Sequence, residues 1–212
     1  MEDNQLFLAP PNTLLRSDEL TVLTVLADAS SILLPLKTQT LSKFSVLVLY
    51  RLGSAAIASP VNILDLNSQL TISFNTNTDI AFKDSQSVNT CSISHSFTSG
   101  VDKEDWLPLG VTYDGQRLRA SRLEGTTITN CPGFQLALSG SLDLSQSSTG
   151  TQISYAYVYI LNESLLPGEL LYMAFRKYSH YYWDSLLVIG YSFVEQDKVN
   201  SPSSISDILR PS

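Results

Sequence analysis

Apolar residues stand at every second position in run after run of this chain, and that spacing decides what it can fold into. Leu70, Ile72 and Phe74 alternate with polar neighbours, and so do Cys91, Ile93, His95 and Phe97 against Thr90, Ser92, Ser94 and Ser96. A two-residue period puts all apolar side chains of a run on one face of a strand. Such a face must be buried against another layer, so a chain built of these runs is expected to stack sheets.

The runs follow one another with turn residues between them. Leu20–Leu26 is rich in β-branched residues. Ser17-Asp18-Glu19 before it could cap a helix, but strand is the preferred reading. Further strands are expected at 32–36, 43–52, within the alternating stretch 61–74, at 90–97, in the run 134–144, at 153–161 and at 186–194. Residues 153–161 are apolar on both faces, which places that strand in the middle of a sandwich or under a neighbour. Asp114-Gly115, between Val111-Thr112-Tyr113 and Gln116-Arg117-Leu118, predicts a hairpin with a type I′ turn. Gly168–Tyr178 is the one helix candidate, with Glu169 near its start and Arg176-Lys177 near its end. Eight to ten short strands with little helix predict an all-β, antiparallel β-sandwich of jelly-roll type. The organisation expected is an extended N-terminal arm over 1–19, marked by Ala9-Pro10-Pro11-Asn12, a sandwich domain over 20–196 and a polar C-terminal arm over 197–212.

Composition narrows the function classes. The chain has 212 residues, 43% hydrophobic and only 16% charged, with a net charge of −7. Few charges among many hydroxyls make a polar, neutral surface that is cheap to cover, because neutral hydroxyls are less costly to bury than ions. The acidic balance makes nucleic acid an unlikely main partner, since phosphate contacts need Lys and Arg. Residues 1–36 hold one basic residue, Arg16. No apolar run approaches the ~18 residues of a membrane span. The start, Met1-Glu2-Asp3-Asn4, has no signal-peptide pattern.

No catalytic or metal motif stands out, so no enzyme activity and no cofactor are expected. Cys91 and His95 are four apart, which on a strand separates them by about 13 Å. With His180 they complete the short inventory of imidazoles and their neighbours. Cys91 and Cys131 read as two buried free thiols, with a single bridge left open. Asn162-Glu163-Ser164 matches a glycosylation sequon and reads as chance. Asp102, Glu104 and Asp105 beside Trp106 lack the alternating ligand order of a calcium loop and read as a solvated loop. Two groups remain as a possible recognition surface. Arg117 and Arg119 share one face of the hairpin strand, where cations can meet sialic acid, a sulfated glycan or nucleic acid, or simply discourage edge pairing. Tyr178, His180, Tyr181, Tyr182 and Trp183 crowd six positions with aromatic rings that carry polar tips, as interface anchors and sugar platforms do.

Two resemblances bear on function. The length, the neutral polar surface and the tails at both ends resemble single jelly-roll capsid subunits of small icosahedral viruses. Locally, Leu6-Phe7-Leu8-Ala9-Pro10-Pro11-Asn12 with Leu20-Thr21-Val22-Leu23-Thr24-Val25 is similar to the start of adenovirus fibre heads, and Tyr191-Ser192-Phe193-Val194-Glu195-Gln196 to their last strand. The first implies a self-assembling virion protein made in the host cytoplasm, partnered by copies of itself or other capsid subunits. The second implies a receptor- or glycan-binding head. Neither assigns receptor residues.

Overall fold

The structure is a computed structural model and describes residues 23–25, 32–52, 61–74, 77–85, 89–96, 106–122, 125–144, 153–170 and 186–192. Both expected arms, the Asp102–Asp105 loop and the Tyr178–Trp183 cluster lie outside the described residues.

The described residues form an antiparallel β-sandwich. Its strands are β1 (Leu23–Val25), β2 (Ile32–Pro35), β3 (Gln39–Leu41), β4 (Phe44–Leu52), β5 (Val61–Leu66), β6 (Leu70–Phe74), β7 (Asn77–Lys83) and β8 (Thr90–Ser96). They continue with β9 (Leu107–Tyr113), β10 (Arg117–Arg122), β11 (Gly125–Asn130), β12 (Leu136–Leu138), β13 (Ser141–Leu144), β14 (Ile153–Leu161) and β15 (Leu187–Ser192). One sheet runs β1-β14-β4-β9-β10-β11, with β15 pairing the same edge of β14 beyond β1. The other runs β2-β13-β5-β6-β7-β8, and β3 with β12 makes a small third sheet. Late strands are inserted between early ones: β14 lies beside β4, and β13 between β2 and β5. This interleaving is the jelly-roll feature that a simple meander lacks.

Alternation sets the core. In β4, Phe44, Val46, Val48, Tyr50 and Leu52 join the main core with Val61, Ile63, Ile72, Phe74, Ile80 and Phe82 from the facing sheet. The intervening Leu47 and Leu49 are also buried, but in separate clusters on the sheet's outer face. The strand apolar on both sides, β14, is likewise flanked on both edges and covered on both faces. Polar side chains tie the layers together: Tyr155 Oη donates to Ile63 O at 2.6 Å and Arg122 Nη1 to Thr78 Oγ1 at 3.0 Å.

Several expectations change in detail. The stretch 61–74 is a hairpin, β5–β6, folded back at Asn67-Ser68, where both residues take positive φ (51° and 57°) as a type I′ turn requires. The run 134–144 divides between two sheets, β12 and β13. The 114–117 hairpin forms as expected, but its turn is not type I′. Gly115 takes φ 91° and Asp114 does not take positive φ, so the turn centres on Gly115-Gln116. The reason is the Asp114 carboxylate, whose Oδ1 accepts from Gln116 N (2.9 Å) and Arg117 N (2.7 Å) and holds Asp114 at the turn's first position. Of the expected helix Gly168–Tyr178, residues 168–170 are helical, in a segment that starts at 167, and the rest lies outside the described residues; Leu166 N donates to Glu169 Oε2 at 2.8 Å, the reciprocal half of a capping box. The larger correction concerns the thiols. Cys91 and Cys131 are not free: they form a disulfide, Cα atoms 6.0 Å apart, between edge strand β8 and the residue following edge strand β11. Two edges of opposite sheets approach there, and this juxtaposition is invisible in sequence spacing.

Among the described residues no helix is long and apolar enough to cross a membrane, and no three His, Cys, Asp or Glu side chains gather as a metal site.

Candidate functional site

The start of β4, the end of β9 and the start of β10 meet at one end of the seven-stranded sheet. Phe44 pairs with Tyr113 and Leu118 with Tyr113, so the turn before β4 and the β9–β10 hairpin lie side by side. Their fit is close: a side chain at Gly115 would stand 3.6 Å from the carbonyl oxygen of Ser42. The end of β14 reaches the same place, because Leu161 pairs with Ser45. Ser45 then fixes the chain beyond it, donating from Oγ to Glu163 O (2.6 Å) and accepting from Leu165 N (2.9 Å). From there the chain crosses the sheet's outer face to Leu170. That side chain sits over Gly110, where a Cβ would come within 3.0 Å of Leu170 Cδ1.

These constraints leave a cavity of about 160 Å³ lined by Gln39, Thr40, Leu41, Ser42, Lys43 and Asn162. It is smaller than the roughly 300–1,000 Å³ of drug-sized pockets, and it opens to solvent beside exposed Ser42, Lys43 and Asn162. Its polar groups are two amides, two hydroxyls and one ammonium. Such a set can donate and accept hydrogen bonds with a small polyhydroxylated group.

Of the residues expected from sequence, Arg117 and Arg119 belong to this end. They point to the outer face of the sheet in register with Asn130 and Ile128. Arg117 is exposed. Arg119 is half-buried and bonds Asp114 Oδ2 at 2.5 Å. Arg122, at the end of the same strand, turns inward and is buried against Thr78. The cavity residues themselves were missed. They are ordinary polar residues of a turn and a strand end, with no motif; only Asn162 carries a sequence signal, the sequon.

Aromatic side chains gather elsewhere on the outer face. Arg51 stacks over Trp106 at 5.5 Å, and Tyr157 stacks on Tyr159 at 5.7 Å. Trp106 and Leu49 are each only 1% exposed, so this group is packed rather than presented. Burial raises the Tyr157 phenol above its ordinary value.

The hairpin's electrostatics are testable. Partial burial opposes ionisation of Asp114, but the Arg117 and Gln116 N–H groups and the Arg119 guanidinium outweigh it and lower its pKa below the ordinary 3.8. The carboxylate's stabilising effect is therefore complete above the unfolded value and disappears as pH falls through the lower folded value. We expect Asp114→Asn to be less stable than the parent at about pH 6, with the difference closing towards about pH 2. Parallel denaturant titrations showing a constant difference would contradict this.

No protein-family model and no curated protein matches the sequence. The fold, however, matches solved structures. The binding domain of botulinum neurotoxin DC, in complex with SialylT, aligns with a TM-score of 0.53 at 10% identity, covering 73% of this chain and 46% of that one. The botulinum neurotoxin serotype D/C binding domain aligns at 0.51 and 11% identity, covering 74% and 52%. A Bacteroides ovatus protein provisionally described as carbohydrate-binding aligns at 0.62 and 8% identity, covering 86% and 54%. The chain spans about half the length of each. At such identities the likeness establishes the β-sandwich fold. None of these three is a capsid subunit or fibre head, so the viral resemblances gain no support from them.

Proposed function

We propose that this chain is a glycan-binding module that receives a terminal sugar at the cavity between the β3–β4 turn and Asn162. The observation that carries the reading is the lining itself: Gln39, Thr40, Ser42 and Asn162 offer paired donors and acceptors around a space of about 160 Å³. Sugar hydroxyls both donate and accept, and neutral amides and hydroxyls match them without the desolvation cost of ions. The structural neighbours support the same reading, since one is solved with SialylT and another is provisionally carbohydrate-binding. A jelly-roll sandwich serves both capsids and lectins, so architecture alone does not choose between a shell and a receptor-binding head; the lining favours the head. The disulfide fits exposure in an oxidising setting such as a cell or virion surface, where such bonds persist. The chain acts, on this reading, by contact and not by catalysis.

The test is a panel of neutral and acidic glycans against the purified chain, followed by titration of any hit. Asn162→Ala and Gln39→Ala should each weaken binding by roughly three- to tenfold, the worth of one hydrogen bond. Absence of binding across the panel, or unchanged affinity in both variants, would overturn the proposal.

A further inference from the structure

We infer that the sugar this cavity takes carries an anionic group, a carboxylate or sulfate, and that Lys43 is the residue that selects it. The inference rests on the glycan-binding reading above and narrows it. Lys43 supplies the one charge in the lining; Gln39, Thr40, Leu41, Ser42 and Asn162 supply none. That is a notable local departure in a chain with 20 acidic residues against 13 basic ones. A cavity built only for neutral hydroxyls has no need of an ammonium, whose hydration is costly to disturb.

The surroundings point the same way. Glu163, next to Asn162, and Asp114, in the hairpin that packs against the β3–β4 turn, are both engaged. Asp114 accepts from Gln116 N, Arg117 N and Arg119, and Glu163 Oε1 accepts from Ser164 N at 3.1 Å. Lys43 is exposed and has no ion-pair partner among the described residues, and the same holds for Arg117 on the adjoining hairpin. Lys43 and Arg117 are therefore the cations of these two turns that no carboxylate of the described residues neutralises, whereas Arg119 is held by Asp114. An anion seated beside Lys43 can take a charge-assisted hydrogen bond from its ammonium, about twice as strong as a neutral one.

The probes are matched oligosaccharides that differ only by a terminal acidic residue, titrated against the parent, Lys43→Gln and Lys43→Glu. The parent should prefer the acidic member. The preference should shrink on the order of ten- to a hundredfold in Lys43→Gln, reverse or vanish in Lys43→Glu, and weaken as salt rises. Lys43 is solvent-exposed, and unchanged thermal melts of the variants confirm their fold. If neutral and acidic members bind the parent equally, or the preference survives Lys43→Glu, the inference fails while the glycan-binding reading stands. If neither member nor any other glycan binds, both fail together.

Discussion

Loss of the Cys91–Cys131 bond is expected to lower stability by about 4 kcal/mol. The two residues are 40 apart in sequence. A crosslink closing a loop of that size removes denatured-state entropy on this order. The site adds to the effect. β8 ends the six-stranded sheet and β11 ends the seven-stranded one, so the bond ties shut one open side of the sandwich. It also sits among contacts the site depends on. The Tyr113 hydroxyl donates to Cys131 O at 2.6 Å and accepts from Phe134 N at 2.8 Å, while Cys131 N donates to Gln116 O at 2.8 Å, bracing the hairpin. Denaturant midpoints with and without reductant, and for Cys91→Ala with Cys131→Ala, should show matching losses. A difference below about 1 kcal/mol would show that the bond is incidental to the fold. If the loss is found and the hairpin loosens with it, glycan affinity should fall in the reduced protein as well.

What the sequence made legible follows from where each strand lies. β4, β6, β8 and β14 have one or both faces in the core, so their apolar periodicity is strong. β11, with Gly125-Thr126-Thr127-Ile128-Thr129-Asn130, has no fully buried residue. It is held by its ladder to β10, so nothing in its pattern marks it. β7 does alternate, with Thr78, Ile80 and Phe82 buried, but Asp79 and Lys83 between and after them weaken its apolar signal, and no strand is expected there from the sequence. β3 is three residues long and pairs only with β12. The cavity was hidden for a related reason. Its lining comes from two places more than a hundred residues apart, joined only because β14 inserts beside β4 and Ser45 captures the chain beyond Leu161. The arginines were visible as a strand pattern, on the hairpin whose Gly115 packs against the β3–β4 turn. Which of them is free to meet a ligand depended on Asp114, whose carboxylate is turned to Arg119.

Phe82→Ala should be the most damaging single core substitution near the site, at about 3–5 kcal/mol. Phe82 comes from β7 in one sheet and its ring meets Phe44 (5.2 Å, edge-on) and Tyr113 (5.2 Å, edge-on) from the other, with Phe134 at 5.5 Å. It is fully buried. Truncation removes a ring's worth of transfer energy and leaves a cavity between sheets that are held apart by other large side chains and the disulfide, so collapse is limited. It also removes edge-to-face contacts worth about 0.5–1.5 kcal/mol each. The consequence reaches the surface along short paths: Phe44 follows Lys43, and Tyr113 precedes Asp114. With Phe82 gone, both strand ends lose the packing that aligns the β3–β4 turn with the hairpin. Phe82→Leu fills most of the space and should keep more than half of the lost stability. Equilibrium unfolding of the two variants measures the first effect, and glycan titration at a temperature where both remain folded measures the second. An alanine variant within about 1 kcal/mol of the parent would mean the aromatic cluster does not couple the sheets. A destabilised variant with unaltered affinity would mean the cavity is positioned by the outer-face contacts of Ser45 and Leu170 alone.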